Sequence, residues 1–244
     1  MKFSLVPLKG QIGRFFNKIL PEDMVAPILH GKLKGKKWYV RSLNIECALG
    51  TYEKALRSIF EQELNVGSVV FDIGSNVGFY SLLSSTIVGD EGHVVAFEPL
   101  LRNLYYLKKH LEMNNCDNAE FIAAAVSDDC GTSFFEDVSV AMSHITDIAG
   151  ENTIKVKTVR IDNLVEMKRI PAPDFMKIDV EGAEFLVLKG SENTIKKYKP
   201  KIFLETHSDE LREDCYNFLK NAGYRVEYVE MEGKNKKQIY AYVV

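Results

Sequence analysis

Two apolar runs that each end at a carboxylate constrain the fold more than any other feature. The first, Val69-Val70-Phe71-Asp72-Ile73, leads straight into Gly74-Ser75-Asn76-Val77-Gly78. An apolar run closing on Asp-x-Gly reads as a buried parallel strand entering a tight turn, where glycines admit a close backbone approach and leave room for the following helix. The second, Val94-Val95-Ala96-Phe97, ends at Glu98 and Pro99, so that Glu98 lies 20 residues after Gly78. In a doubly wound sheet that carboxylate stands at the tip of the neighbouring strand, where it accepts hydrogen bonds from both hydroxyls of an unphosphorylated ribose. The two runs together describe a nucleoside pocket.

The pattern around them predicts an α/β chain. Strand and helix signals alternate: strand 69–73, helix from about 77 to 87, strand 93–97, helix 101–114, strand 119–126. Such alternation argues a parallel sheet with crossover helices. Upstream, Tyr52, Ala55, Leu56, Ile59, Phe60 and Leu64 recur at helical spacing over 51–64. Residues 1–50 read as an N-terminal cap, with short strands or a hairpin around Trp38-Tyr39-Val40-Arg41 and Leu43-Asn44-Ile45. The main domain is expected over 51–244, with a β-hairpin-like insertion at about 130–162 that shapes a substrate site. After Pro171-Ala172-Pro173 come a strand at 175–179, a helix over 183–198, a strand at 201–205 and a helix over 208–222. Strands at 224–229 and 238–244, with a polar turn between them and no helix, predict an antiparallel edge hairpin.

Composition narrows the partners. With 244 residues, 46% hydrophobic and 27% charged, the chain can bury a large core and shows no sign of disorder or of a membrane span. A net charge of −3 leaves no basic field for bulk nucleic-acid binding. Lys32, Lys34, Lys36 and Lys37 beside Trp38 read as a solvated turn between strands rather than an RNA contact. Cys47, Cys116, Cys130 and Cys215 have no zinc spacing and read as reduced thiols. Without a signal-peptide pattern the expected location is cytoplasmic. Phe15, Phe16, Ile19 and Leu20 pack on the domain in preference to lying on a membrane surface.

Charge then selects the ligand. Gly74 and Gly78 form G-x-x-x-G, not the dehydrogenase G-x-G-x-x-G, and Asp72 precedes the turn. A diphosphate would meet that carboxylate unfavourably, whereas S-adenosylmethionine carries an ammonium and a sulfonium and no phosphate. Gly74, Ser75, Asn76 and Gly78, with Phe79 next in the chain, are expected to border its methionine portion and ribose, and Asp72 to face the ammonium directly or through water. Glu98, followed by Pro99, holds the ribose; Asn103, Ala125 and Val126 lie near the adenine or ribose edge.

These segments carry a resemblance. Gly50-Thr51-Tyr52-Glu53, the glycine turn, Ala96-Phe97-Glu98-Pro99, Ala125-Val126-Ser127-Asp128 and Lys177-Ile178-Asp179-Val180-Glu181-Gly182-Ala183-Glu184 with Leu188-Lys189-Gly190 occur in order. Over about residues 50–230 the chain resembles the S-adenosylmethionine-dependent methyltransferases of the FkbM family. The resemblance implies a Rossmann-like sheet of seven mostly parallel strands and, typically, O-methylation. It also implies that Tyr52 and Glu53 close over the cofactor; their spacing alone reads as a helix start.

Asp179-x-Glu181 and Glu205-x-His207 put ionisable pairs at two strand ends, where residues two apart share a side. If the strands are neighbours, both pairs converge where open α/β sheets bind ligands. Methyl transfer requires an acceptor hydroxyl aligned with the sulfonium methyl and relieved of its proton. His207, which titrates near neutrality, is the expected base; Asp179, also on the cofactor side, positions the acceptor or pairs with the imidazole. Glu181 is expected either to join them or to fix the Gly182 turn through backbone amides. A divalent ion on Asp179, Glu181 and His207 is chemically sensible, but strand-end carboxylates commonly serve as hydrogen-bond acceptors, so no metal is assigned. His144, beside Ser143 in the insertion, is a surface residue with a lesser claim to fold over the acceptor. The expected function is methylation of a hydroxyl on a small-molecule or glycan-type acceptor, with RNA methylation and a non-catalytic nucleoside-binding module as rivals.

Overall fold

A computed structural model describes residues 20–136, 144–146, 153–230 and 237–243. Phe15, Phe16, Ile19, Ser143, the side chain of His144 and most of the C-terminal hairpin's turn lie outside the described residues. The described strands β3 (Val69–Ile73), β4 (His93–Phe97), β5 (Ala119–Ile122), β10 (Phe175–Ile178), β11 (Lys201–Leu204), β12 (Arg225–Glu230) and β13 (Lys237–Tyr242) form one sheet in the order β12-β13-β11-β10-β3-β4-β5. The neighbouring pairs from β11 through β5 are parallel, while β13 runs antiparallel to both β11 and β12. This is the α/β, Rossmann-like plan expected from the alternation.

Side-chain alternation divides the core in two. Val70, Val94, Ala96, Phe175 and Phe203 face one layer, built from α2 (Lys54–Glu63), α3 (Phe79–Val88), α4 (Leu101–Met113) and the N-terminal segment. Phe71, Ile73, Val95, Phe97, Met176, Ile178, Ile202 and Leu204 face the other, built from α5 (Ile161–Glu166), α6 (Glu184–Gly190), α7 (Glu192–Tyr198) and α8 (Asp209–Asn221). Cover on both faces buries the central strands β3, β4, β10 and β11 at nearly every position, which is why these runs lack polar alternation. The order passes from β3 to β4 and β5 on one side and to β10 and β11 on the other. The chain therefore reverses its direction of travel between β3 and β10, and the crevice at their carboxyl ends is where such sheets bind ligands.

Four expectations shift locally. The strand expected over 119–126 breaks: the Ala124 N–H donates to the Ile122 carbonyl, and β6 (Ala125–Val126) leaves β5 for a second sheet. Small alanines make that corner passable. The insertion is more than a hairpin, because β6, β7 (Gly131–Glu136), β8 (His144–Thr146) and β9 (Thr153–Val159) form a sheet ordered β6-β9-β7-β8. The helix expected over 183–198 divides at Ser191, where the Asp162 carboxylate accepts the Asn193 and Thr194 N–H groups and starts a new helix. Leu43-Asn44-Ile45 is not a strand: Asn44 caps α1 (Ile45–Leu49) by accepting the Cys47 N–H.

The described N-terminal segment is anchored into the same core. β1 (Val25–Pro27) pairs antiparallel with β2 (Lys37–Tyr39), and the lysine-rich turn connects them. Fully buried Trp38 stacks on His110 with ring centroids 3.6 Å apart and planes 7° from parallel. His110 Nδ1 bonds the Val77 carbonyl at 2.8 Å, and Nε2 accepts the Tyr39 N–H at 3.1 Å. Both contacts are met only by a neutral ring, and burial pushes its pKa down to about 4.

Candidate active site

At the switch point an open cleft encloses about 870 Å³, its mouth included. One wall is the glycine turn. Gly74, Asn76 and Gly78 all have positive φ, at 78°, 50° and 88°. Gly74 is obligatory for a second reason: a Cβ there would stand 1.9 Å from the Asp179 carbonyl oxygen, so the β3 turn and the β10 loop meet backbone to backbone. At Gly78 a Cβ would meet Leu107 of α4 at 2.3 Å, so this glycine permits helix packing.

Glu98 forms the adjoining wall. One oxygen accepts the Asn76 N–H at 2.9 Å; the other accepts the Leu100 N–H at 2.9 Å and the Asn103 amide at 3.3 Å. Burial pushes its pKa up to about 7 against the pull of those donors. Of the residues singled out by sequence for the cofactor, Tyr52, Gly74, Ser75, Asn76, Phe79, Glu98, Pro99, Asn103, Ala125, Val126 and Asp179 line this one cleft, and so does Glu181.

Asp72, Glu53, Gly78 and His207 are not on that lining. Asp72, expected to face a cationic ligand, is fully buried behind the wall. Strand register sets it opposite Lys177, whose ammonium lies 3.7 Å away, and the Ser81 hydroxyl donates to it at 2.6 Å. Its charge is therefore answered inside the protein. Lys177 also lies 3.3 Å from Asp179 and 5.1 Å from the centre of the Tyr80 ring. Burial opposes the lysine's charge, but Asp179, Asp72 and Glu53 outweigh it and hold the pKa above the ordinary value. The Tyr80 hydroxyl donates to Glu53 at 2.9 Å, tying the start of α2 to the same network. Glu53 thus braces the Tyr52 side from behind.

His207 stands at the acidic rim. Its Nε2 is 3.1 Å from Glu181 and 3.9 Å from Asp179, and the ligating atoms of the three residues lie within 4.8 Å of one another. The sequence brings these residues together for a different reason than strand alternation. Glu181 has a positive φ of 54°, so the strand has already ended and a left-handed turn presents the side chain. Nor does Glu181 hold the Gly182 amide: that N–H donates to Glu184 at 2.9 Å. Glu184, fully buried, also bonds His207 Nδ1 at 2.6 Å. Burial opposes protonation of His207, but the hydrogen bond it donates to Glu184 and the charges of Glu184, Glu181 and Asp179 raise its pKa. Lys177 and Glu184 carried no role in the sequence reading; a charged residue inside an otherwise apolar strand, and a second glutamate just past the turn, were the available signals. Of the insertion, Phe135 on β7 reaches the lining.

Among known proteins, the chain is 28% identical over 198 residues to the hexuronic acid methyltransferase AglP of Haloferax volcanii, covering 80% of this chain and 76% of that one. Among solved structures it is similar to methyltransferase FkbM from Methylobacillus flagellatus KT, with a TM-score of 0.54 and 18% identity over 72% of this chain; the match spans 43% of that longer chain. It is also similar in fold to a SAM-dependent O-methyltransferase from Thermotoga maritima, with a TM-score of 0.52 and 11% identity, covering 78% and 65% of the two chains. The model of the methyltransferase FkbM domain matches residues 72–226, from the buried aspartate of the glycine turn to the first of the two edge strands, and on that match the chain belongs to the FkbM methyltransferase domain family.

Proposed function

We propose that this protein transfers a methyl group from S-adenosylmethionine to a hydroxyl of a sugar-type acceptor, a hexuronic acid being the first class to try. The observation that carries the reading is the continuous cleft from Glu98 to Asp179: a buried carboxylate at one end suits a ribose, and an acidic rim at the other suits a hydroxyl about to lose a proton. Asn103 adds a buried side-chain oxygen without a hydrogen-bond partner in the protein, on the same wall. Similarity to AglP supports the acceptor class, and similarity in fold to the Thermotoga maritima enzyme is consistent with the cofactor.

In this reading Gly74, Ser75 and Asn76 border the methionine portion, Glu98 accepts from the ribose, and Pro99, Asn103, Ala125 and Val126 enclose the adenine end. Tyr52 and Phe79 cover the cofactor, and Asp179 faces its ammonium in place of Asp72, which stabilises the wall from behind. His207 takes the acceptor proton, with Asp179 and Glu181 holding the acceptor. The three neighbouring carboxylates favour a charged imidazole; a bound sulfonium and ammonium would oppose that charge, so that His207 would meet the acceptor as a free base. Residues 1–50 are a cap, 51–244 the catalytic domain and 130–162 its acceptor-shaping insertion, and the seven-stranded sheet with its edge hairpin is the frame of that domain. Four free cysteines, three of them buried, fit a cytoplasmic, reducing setting.

The RNA reading is disfavoured by position. Lys36 and Lys37 bond Asn114, just past the far end of α4, whereas the start of that helix adjoins Leu100 in the cleft wall. Thirteen helical residues separate the two ends, roughly 20 Å. Calorimetry with S-adenosylmethionine and turnover of methyl-labelled cofactor over a panel of hexuronic acids test the proposal. Glu98→Ala is expected to weaken cofactor binding by about 1–3 kcal/mol through loss of charge-assisted ribose bonds. Unchanged affinity would overturn the pocket, and binding without turnover on any acceptor would favour a nucleoside-binding module.

A further inference from the structure

Glu184 is an expensive residue to bury. It is fully enclosed, on the first turn of α6, and reaches close enough to Cys215 of α8 to raise that thiol's pKa alongside burial itself. A carboxylate placed against an apolar layer requires compensation by hydrogen bonds or opposite charge. The compensation here is specific: a single oxygen, Oε1, faces both the Gly182 N–H at 2.9 Å and His207 Nδ1 at 2.6 Å. One atom thus ties the loop after β10 to the residue three positions past β11.

An ionised carboxylate only accepts, so Nδ1 of His207 must carry the proton. Nε2, 3.1 Å from the Glu181 carboxylate, donates there while the ring is charged, and it is the nitrogen left to give up its proton when the ring becomes neutral. It points to the side of Glu181 and Asp179, both of which line the cleft. A bare nitrogen lone pair beside two carboxylates lacks a donor. A hydroxyl entering between them supplies it, donating to Nε2.

Resting on the reading of His207 as the base, we infer that Glu184 is a positioning residue that fixes the Nδ1–H tautomer of His207 and turns Nε2 toward the acceptor hydroxyl. The hydroxyl proton passes to Nε2 while an oxygen lone pair attacks the sulfonium methyl. The O–CH₃ bond forms, the S–CH₃ bond breaks with its pair going to sulfur, and neutral S-adenosylhomocysteine leaves. The imidazolium then returns its proton to solvent, to which the ring retains 14% exposure. Asp179, Glu181 and Glu184 all face this imidazole, and Lys177 faces it through Asp179, so Glu184 acts within a set of charges and is singled out by its contact with Nδ1.

The test begins with unaltered protein and needs no acceptor. In ¹⁵N-histidine-labelled protein, with the His207 signals assigned by their loss in His207→Gln, Nδ1 is expected to carry the proton on the alkaline side of the titration; protonated Nε2 with bare Nδ1 overturns the proposal. Glu184→Gln should lower the His207 midpoint by about one pH unit, and Glu184→Asp should restore part of it. An unmoved midpoint in folded Glu184→Gln also overturns it. In turnover with labelled S-adenosylmethionine and glucuronic acid, Glu184→Gln should lose about 10- to 100-fold in kcat, with an altered pH profile and unchanged cofactor affinity. A wild-type protein inactive on glucuronic acid would count against that acceptor, while the nitrogen signals still decide the role of Glu184.

Discussion

His110 and His207 are both largely enclosed by protein, and their surroundings drive them in opposite directions. His110 sits between Trp38 and a backbone carbonyl, and burial leaves it neutral, its pKa pushed down to about 4. His207 is just as firmly bonded, but its partners are three carboxylates, which outweigh burial and raise its pKa. The same side chain is a packing pin in one place and, in the proposed reading, a proton carrier in the other. What separates them is the charge of the neighbours, since depth alone would make both neutral.

The contrast can be broken most forcefully at His110. His110→Ala removes the stacking partner of Trp38 and strands the Tyr39 N–H and the Val77 carbonyl, so we expect a loss of about 3–4 kcal/mol in urea unfolding, with activity per folded molecule preserved. A loss below about 1 kcal/mol would show that the N-terminal segment is not pinned there. His207→Ala should act on turnover, lowering it about a hundredfold while leaving cofactor affinity in place. If turnover survives, the two histidines are alike after all.

Acid sharpens the difference. A histidine whose folded pKa is depressed contributes stability that is complete above its unfolded value and is lost as pH falls toward the folded one. For His110 that window runs from 6.5 down to about 4. Lowering the pH from about 7 to about 5 should therefore remove about 2 kcal/mol from this residue. His207 has the opposite sign: its contribution is present below the unfolded pKa and fades as pH rises through the folded one. Unfolding curves across this range, compared among wild type, His110→Gln and His207→Gln, should show the acid loss vanish in the first variant only. The smallest effect belongs to the lysine turn, where Lys32→Ala and Lys34→Ala should change cofactor affinity and stability by less than about 0.5 kcal/mol; a large change in affinity would bring that turn into the site.

Much of this was legible in sequence. Apolar runs closing at Asp72 and Glu98 placed two strand tips, and the absence of polar alternation marked a sheet covered on both sides. Less legible were features that depend on chain crossings. Asp72 looked like a ligand residue because Lys177, 105 positions later, cannot be seen as its partner until β3 and β10 pair in register. Glu184 looked like an ordinary helix residue because its partner, His207, comes from the next strand-to-helix connection. The break in the 119–126 strand depends on β9, which offers β6 a different edge. The helix break at Ser191 depends on Asp162, about thirty residues away.

The contact of Gly74 with the Asp179 carbonyl has a consequence for how such an enzyme diversifies. Main chain against main chain sets the spacing between the glycine-turn pocket and the rim of Asp179, Glu181 and His207, which in the proposed reading present and receive the methyl group. Side chains on either bank can then be exchanged without retuning that spacing, so a lineage can acquire new acceptors while inheriting the alignment on which every transfer depends.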